Sequence, residues 1–171
     1  SGKTMSPRKL TRTQYNLDGT VHKTSSAALK MNDTIAQSRV RPTAYLLSKS
    51  AGDLLNLDRT LYILDNQGAE YYEIAPGATV NLQQYYNTGI WKDEKGKDTN
   101  TPKVELRAPA DITFPRGAVV VPMDQVAGNV IAMLMEPDVR DSSGYDGTLA
   151  QFGVLKFDAA TSNYPLYRFI G

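Results

Sequence analysis

The side chains that could act as nucleophiles, bases or metal ligands are few in this sequence. It contains no Cys and a single His, His22, so a thiol nucleophile and a thiolate metal site are excluded. A protease-type zinc site needs two His and a carboxylate, and a Ser-His-Asp triad needs an imidazole beside its serine. His22 lies in a polar segment without a Gly-x-Ser-x-Gly turn elsewhere, and we expect it at the surface.

Acidic residues near the end of the chain are the next candidates for chemistry. Glu136 with Asp138 or Asp141 could serve as acid and base in glycoside cleavage, which needs two carboxylates. Asp138, Asp141 and Asp146 could supply oxygen ligands to calcium. Their spacing does not match an EF-hand loop and Arg140 intrudes, so a solvated loop is the competing interpretation. A glycosidase-like enzyme therefore remains one hypothesis for the function.

The segment from Gly89 to Lys97 has a superficial likeness to a phosphate-binding loop. Six residues separate Gly89 from Gly96 where that motif has four, and Asp98 follows the lysine where Ser or Thr is required. We interpret the segment as an ordinary surface loop.

Aromatic residues could form a platform for sugars or peptides, because rings with a polar tip suit half-wet binding surfaces. The candidates are Tyr71, Tyr72, Tyr85, Tyr86 and Trp91. In a strand, neighbouring side chains point to opposite faces, and large aromatics also favour plain cross-strand packing. Tyr85, Tyr86 and Trp91 are the candidate ligand-binding residues, and we assign no catalytic, cofactor-binding or metal-binding residue.

Composition and charge point to a globular protein with a packed core. The chain has 171 residues, of which 41% are hydrophobic and 22% charged. Residues 1–41 carry eight Lys or Arg against two Asp, while the remainder carries eleven basic against sixteen acidic residues. The basic residues are scattered without a stripe, which favours contact with the protein's own acidic body over nucleic acid. No apolar run reaches the length of a membrane span.

Two helices are predicted from apolar spacing. The first rests on leucines three and four residues apart, with Ser50 and Asp53 suited to its N-terminal cap and Gly68 to its exit. Those leucines are Leu54, Leu57, Leu61 and Leu64. The second begins at a cap by Asp124 and ends after Glu136, because Pro137 bars continuation. Its expected apolar face consists of Val126, Val130, Ile131 and Leu134.

The remaining apolar runs predict strands. Pro42 confines the first of them to an edge or a strand start, and Pro165 favours an edge position for the last. A hairpin is expected from Tyr15 to His22, because Asp18-Gly19 suits its turn. The other strands are expected at residues 40–47, 70–74, 79–86, 104–114, 118–121, 148–157 and 164–170, with a surface loop at 87–102. The fold class is thus α+β, a mixed, largely antiparallel sheet with two main helices in a single domain. We expect residues 1–38 to form a polar N-terminal segment with a hairpin, and residues 39–171 to form a compact α+β domain.

From Arg41 onward the chain resembles the region that follows the catalytic domain in bacterial zinc carboxypeptidase-like proteins of the carboxypeptidase A type. The resemblance rests on landmarks in a shared order over about three quarters of the chain. They are Arg41-Pro42-Thr43-Ala44-Tyr45, the Leu-rich helix ending near Gln67-Gly68, Val119-Val120-Val121-Pro122 with Asp124-Gln125, Glu136-Pro137-Asp138, and Tyr164-Pro165-Leu166-Tyr167-Arg168. Residues 1–38 carry little that matches.

This resemblance implies a parent protein whose preceding domain holds zinc, a His-x-x-Glu motif, a later His ligand and a catalytic Glu. None of these positions has a counterpart here, so the resemblance implies a non-catalytic C-terminal accessory domain without a cofactor of its own. Its implied partner is the upstream peptidase domain of the same polypeptide, and its implied location is extracellular or in the cell envelope. The alternative function is an autonomous carbohydrate- or peptide-binding module.

Overall fold

A computed structural model describes residues 9–15, 21–28, 39–139 and 147–171. Within these residues the fold is α+β, as the sequence predicts, with seven strands in one sheet and two α-helices. The strands of the sheet are β3 (Ala44–Ser48), β4 (Tyr72–Ile74), β5 (Ala78–Lys92), β6 (Asp98–Leu106), β7 (Ala110–Phe114), β8 (Ala118–Pro122) and β9 (Asn163–Phe169). The helices are α1 (Leu57–Asn66) and α2 (Gly128–Met135).

The strands are ordered β4-β8-β3-β9-β5-β6, and β7 also pairs with β5. Each of the recorded pairings is antiparallel. The central strands β3 and β8 are buried along their full length, as expected for apolar runs covered on both faces. The sheet is therefore a rigid support for the side chains that its outer strands carry.

A separate two-stranded sheet lies in the N-terminal segment. It pairs β1 (Lys9–Tyr15) with β2 (Val21–Ala28), and Tyr15 lies opposite Val21. The backbone thus makes the antiparallel pairing that the predicted hairpin requires. The Asp18-Gly19 turn itself lies outside the described residues.

A long β-hairpin replaces the surface loop expected at residues 87–102, which was wrong. β5 extends to Lys92 and β6 begins at Asp98. The connecting turn is closed by the Asp93 carboxylate, which accepts hydrogen bonds from the amides of Lys95 and Lys97. The polar composition reflects exposure of this outer part of the hairpin rather than a lack of strand structure.

Helix α1 begins later than expected. Gly52–Leu54 forms a short 3-10 helix, and the Asn56 side chain caps α1 by accepting from the amide of Arg59 at 3.1 Å. Ser50 and Asp53 were therefore the wrong cap residues. The exit at Gly68 is confirmed: its φ is +68°, and the Ala69 amide donates to the Leu64 carbonyl in a Schellman arrangement.

Half of the apolar face predicted for helix α2 is confirmed, since Ile131 is buried and Leu134 packs partly buried against the core. Val126 and Val130 are instead exposed, and Met135 is buried. Asp124 is itself buried rather than capping the helix, and Ala127 occupies the cap position without a side-chain bond. The end before Pro137 is confirmed, because the helix stops at Met135.

Residues 148–157 form turns instead of the expected strand, and only Leu55 and Leu155 pair as an isolated bridge. Thr148 redirects the backbone here. Its hydroxyl donates to the Pro137 carbonyl at 3.3 Å and accepts from the Gln151 amide at 3.1 Å. Such local side-chain bonds compete with strand pairing.

Pro165 lies in a central strand, so the edge position expected from it was wrong. β9 is flanked by β3 and β5, but Pro165 falls beyond the last pair with β3, Leu47–Leu166, and at a register irregularity opposite β5. No ladder bond from its nitrogen is needed there, which is where proline is tolerated in a sheet.

Two apolar clusters cover the two faces of the sheet. The larger one includes the buried faces of both helices, with Leu64 and Ile131 as members. The smaller one lies on the opposite face, where Leu82 of β5 and Phe114 of β7 pack over β3 and β8. Phe114 contacts Tyr167 edge to face, with ring centroids 5.3 Å apart.

Candidate functional site: a buried charge network and an aromatic face

A network of charged side chains lies in the core where α2 ends. Glu136 and Arg168 are each about 1% exposed, and 3.6 Å separates Glu136 Oε1 from Arg168 Nε. Arg39 donates two hydrogen bonds to Asp138, at 2.6 and 2.7 Å. Because α2 stops before Pro137, both carboxylates of the Glu-Pro-Asp turn point inward to an arginine.

Arg168 also fixes the first residues of the compact domain, which begins at Arg39. Its Nη2 donates to the Val40 carbonyl, and its Nη1 donates to Gln83 Oε1 at 3.1 Å. A single side chain of β9 therefore joins the turn after α2, strand β5 and the segment that leads into β3. Buried charges are tolerated when they are paired and hydrogen-bonded in this way.

Tyr85 lies inside the same network. Its hydroxyl donates to Glu136 Oε2, and the guanidinium carbons of Arg39 and Arg168 lie 5.1 and 5.7 Å from its ring centroid. Burial raises the pKa of Tyr85, and the Glu136 charge raises it further. Burial also raises the pKa of the neighbouring Tyr45, so both phenols stay protonated at neutral pH.

The pKa of Arg39 reflects two opposing effects. Burial is the largest single effect and would by itself lower the pKa, but the hydrogen bonds to Asp138 and the charges of Tyr85, Asp138 and Glu136 together outweigh it, so the net pKa is raised. Arg39 is thus held in its charged form. The arrangement can hold charge in a fixed place; its carboxylates are engaged with cations and buried from any substrate.

These contacts bear on the carboxylates considered for acid-base chemistry or calcium. Glu136 and Asp138 act as partners of arginine, while Asp141 and Asp146 lie outside the described residues. Within the described part of the chain, no cluster of His, Asp and Glu could hold a metal ion.

The three candidate aromatic residues do not share one surface. Tyr85 is fully buried, because the alternation of β5 directs it into the core and its neighbour Tyr86 outward. Tyr86 pairs with Glu105 across the hairpin, and its hydroxyl donates to that carboxylate at 2.6 Å. This hydrogen bond raises the pKa of Tyr86.

Tyr86 and Trp91 each carry a cation over the ring. Arg107 lies 4.2 Å from the Tyr86 centroid and Lys103 lies 4.6 Å from the Trp91 centroid. Arg107 is held by Asn163, at 2.6 Å. A register shift between Asn87 and Gly89 brings Tyr86 and Trp91 to the same side of the β5–β6 hairpin, which we call the aromatic face. Trp91, 37% exposed, is its ring most open to a ligand.

The other two tyrosines considered for a platform lie elsewhere. Tyr72 belongs to β4 at the far edge of the sheet from β6. Tyr71 donates its hydroxyl to Asp65 at 2.9 Å, next to the end of α1. Neither is brought together with Trp91. His22 lies in β2 of the N-terminal hairpin.

Sequence reasoning missed the arginines and the glutamine that organise the interior. Gln125 is fully buried, and its amide bonds both the N–H and the carbonyl of Glu70, at 2.7 and 2.8 Å. Arg39 and Arg168 look like surface residues by type. The available signal was their position, since Arg168 lies between apolar residues of a strand and Glu136 follows an apolar helix.

Comparison of the chain with protein-family models, curated proteins and solved structures finds no match. Neither helix of the described chain has the length and apolar character that crossing a membrane requires.

Proposed function

We propose that this chain is a non-catalytic C-terminal accessory domain of a zinc metallocarboxypeptidase-like protein, which packs on or modulates an upstream peptidase domain. One observation carries the proposal. Two landmarks of the resemblance lie far apart in the sequence and meet in space: Glu136 of the Glu-Pro-Asp turn forms a buried ion pair with Arg168 of the last strand. Because these landmark residues stabilise the same part of the core, we favour a domain in common with the carboxypeptidase-like proteins over a chance resemblance.

The remaining landmarks also have structural tasks. Residues 41–45 lead into β3, where Tyr45 is fully buried, and residues 119–122 lie in the buried strand β8. Gln125 closes the connection to β4 through the backbone of Glu70. These roles support a scaffold whose chemistry is performed by another domain. In this proposal zinc and proteolysis belong to the parent's catalytic domain, and the parent is bacterial, secreted or bound to the cell envelope.

The contacts at the start of the body suggest how the domain could act. Arg39 and Val40 are held by Asp138 and Arg168, so the backbone enters β3 in a fixed direction. An upstream domain would therefore meet a domain whose first segment is fixed against the sheet. Contacts between domains of one chain resemble transient protein interfaces, which fits an accessory part that adjusts activity rather than creating it.

Peptidase kinetics test this proposal. The domain encoded immediately upstream is expressed alone and with this chain fused in its native order, and turnover is followed on peptides that lose their C-terminal residue. We expect fusion to change the kcat/KM of the peptidase domain by at least about threefold or to shift its melting temperature. Identical activity, stability and substrate range with and without residues 39–171 would remove the accessory role.

The aromatic face supports a second candidate function, an autonomous carbohydrate- or peptide-binding module. Trp91 and Tyr86 lie on the same side of the hairpin with cations stacked on them, an arrangement that suits polar ligands with flat or apolar faces. Glycan and peptide arrays would identify a ligand. Trp91→Ala should abolish its binding, while Tyr62→Ala, a change at an exposed tyrosine of α1, should leave it unchanged.

A further inference from the structure

A cleft lies behind the aromatic face, between the β5–β6 hairpin and the turns at residues 150–159. Its volume is about 610 Å³, which falls in the range of roughly 300–1,000 Å³ that ligand pockets occupy. Ile90 and Pro102 line it from the hairpin, and Leu155 and Phe157 line it from the turns. The cleft is built independently of the charge network in the core.

Two apolar side chains of this cleft are exposed to solvent. Ile90 is 38% exposed and Phe157 is 41% exposed. Phe157 is oriented by Tyr164, which it meets edge to face at a centroid distance of 5.7 Å. Apolar groups thus line the cleft from the hairpin and from the turns, and one of them is packed on a buried ring, so the cleft can accept an apolar group.

Hydrogen-bonding groups converge at the same place. The Asn87 side chain is fixed by Gly89, whose amide donates to it at 3.0 Å, and it donates to the Tyr164 hydroxyl at 3.2 Å. A phenol that accepts this bond retains its own proton to donate. Burial raises the pKa of Tyr164, so this donor persists through neutral pH. Asn100 adds a second side-chain amide to the lining.

Lys156 gives the cleft its charge. It is the one charged side chain among the described residues that line the cleft. It also borders an adjoining cleft lined by Asp53 and Asp58, but the ion pairs within the described ranges do not include it. The charge of the lining is therefore positive, and it complements an anionic group.

We propose that this cleft binds the C-terminal residue of a peptide, with the carboxylate facing Lys156 and a large apolar side chain between Ile90 and Phe157. Tyr164 and the asparagine amides supply partners for the peptide's polar groups. The site differs from the aromatic face, because Ile90 and Trp91 are successive residues of β5 and point to opposite sides. The proposal stands apart from the accessory-domain proposal, since it requires no upstream domain.

A matched pair of small probes tests the site on the full 171-residue chain. N-acetyl-phenylalanine carries the free carboxylate, and N-acetyl-phenylalanine amide has the same shape without the charge. Binding is followed by backbone NMR shifts up to about 20 mM ligand, a range that covers weak sites. We expect shifts at Ile90, Phe157 and Tyr164, and an affinity for the acid about fivefold higher, as an exposed charge pair allows.

Variants separate charge recognition from apolar contact. Lys156→Gln should bring the affinity of the acid down to that of the amide, whereas Lys103→Gln, a lysine on the opposite side of the same hairpin, should leave the fivefold difference intact. Phe157→Ala should weaken both probes equally, and unchanged shift dispersion elsewhere would show that the variant is folded.

Three outcomes would overturn the proposal. They are the absence of a saturable shift for either probe, equal binding of acid and amide by the unmodified chain, and shifts centred on Tyr86 and Trp91 instead of the cleft. A preference for the acid that survives Lys156→Gln would also remove the assigned role of this lysine. None of these results would bear on whether an upstream peptidase domain is the partner.

Discussion

Glu136 and Arg168 form an ion pair inside the protein, both about 1% exposed, although they lie 32 positions apart in the chain. Closing a loop of that length costs conformational entropy. Removing two charges from water costs several kcal/mol for each ion. The cost is offset here by further bonds, from Tyr85 to Glu136 and from Arg168 to Gln83 and Val40. The pair therefore specifies which segments meet.

Glu136→Gln should lower the free energy of unfolding by about 3–5 kcal/mol, because it leaves the Arg168 guanidinium buried without a compensating charge. Urea unfolding followed by Trp91 fluorescence measures the change. The control is Glu105→Gln, which removes a carboxylate from an exposed hydrogen bond with Tyr86 and should alter stability by at most about 0.5 kcal/mol. Equal losses in the two variants would mean that the core pair has no special weight.

Asp138→Asn should loosen the start of the body, because Arg39 loses the carboxylate that binds it twice. Brief trypsin digestion with mass spectrometry should then yield a body fragment that begins at Val40, formed about tenfold faster than from the unmodified chain. Asp98→Asn, which breaks an exposed pair with Lys92, is the control. If Arg39 is cut equally fast in all three proteins, the clamp at this segment does not exist.

Alkaline pH should unfold the protein through its buried phenols. The pKa values of Tyr45 and Tyr85 are raised by burial and by the Glu136 charge, so in the folded state they lie above the unfolded value of about 10. The stability they contribute is complete below about pH 10 and falls as the pH rises further.

Phenolate absorbance and circular dichroism, recorded on the same samples, test this expectation. Ionisation of the last tyrosines should coincide with loss of structure, and Tyr85→Phe should make stability decline less steeply above pH 10. Reversible ionisation of all ten tyrosines with unchanged circular dichroism would show that these phenols are not protected.

Gly117→Ala should be more damaging than Gly68→Ala, although both glycines have a positive φ, +81° and +68°. A methyl group at Gly117 would lie 2.4 Å from the carbonyl oxygen of Ile74, whereas the same group at Gly68 meets nothing within 4 Å. We expect losses of about 2–4 kcal/mol and about 1 kcal/mol respectively. Similar melting temperatures for the two variants would contradict the close approach of the backbones.

The sequence predicts best those elements whose burial is uniform. The run at 118–121 is apolar throughout and becomes the buried strand β8, and the Gly68 exit of α1 follows from backbone sterics alone. Prediction from the sequence fails where solvent exposure or local side-chain hydrogen bonds determine the secondary structure. The outer part of the β5–β6 hairpin is polar because water covers it, and Thr148 bends a stretch that composition alone would allow to be a strand.

The candidate site shows a similar division. Alternation in β5 separates Tyr85 from Tyr86, as expected, but which ring faces inward depends on how β5 pairs with β9, a strand distant in sequence. Arg168 is buried, and Arg39 partly buried, only because Glu136 and Asp138 approach them from after α2. Residue type cannot predict such burial, since arginine is almost always exposed unless paired.

The proposed role beside an upstream peptidase domain is tested by calorimetric titration of that domain, expressed separately, with this chain. We expect saturable heat with a stoichiometry of one and a dissociation constant of about micromolar order, together with altered turnover in the complex. Absence of both heat and any kinetic effect would contradict this role and favour an autonomous ligand-binding module.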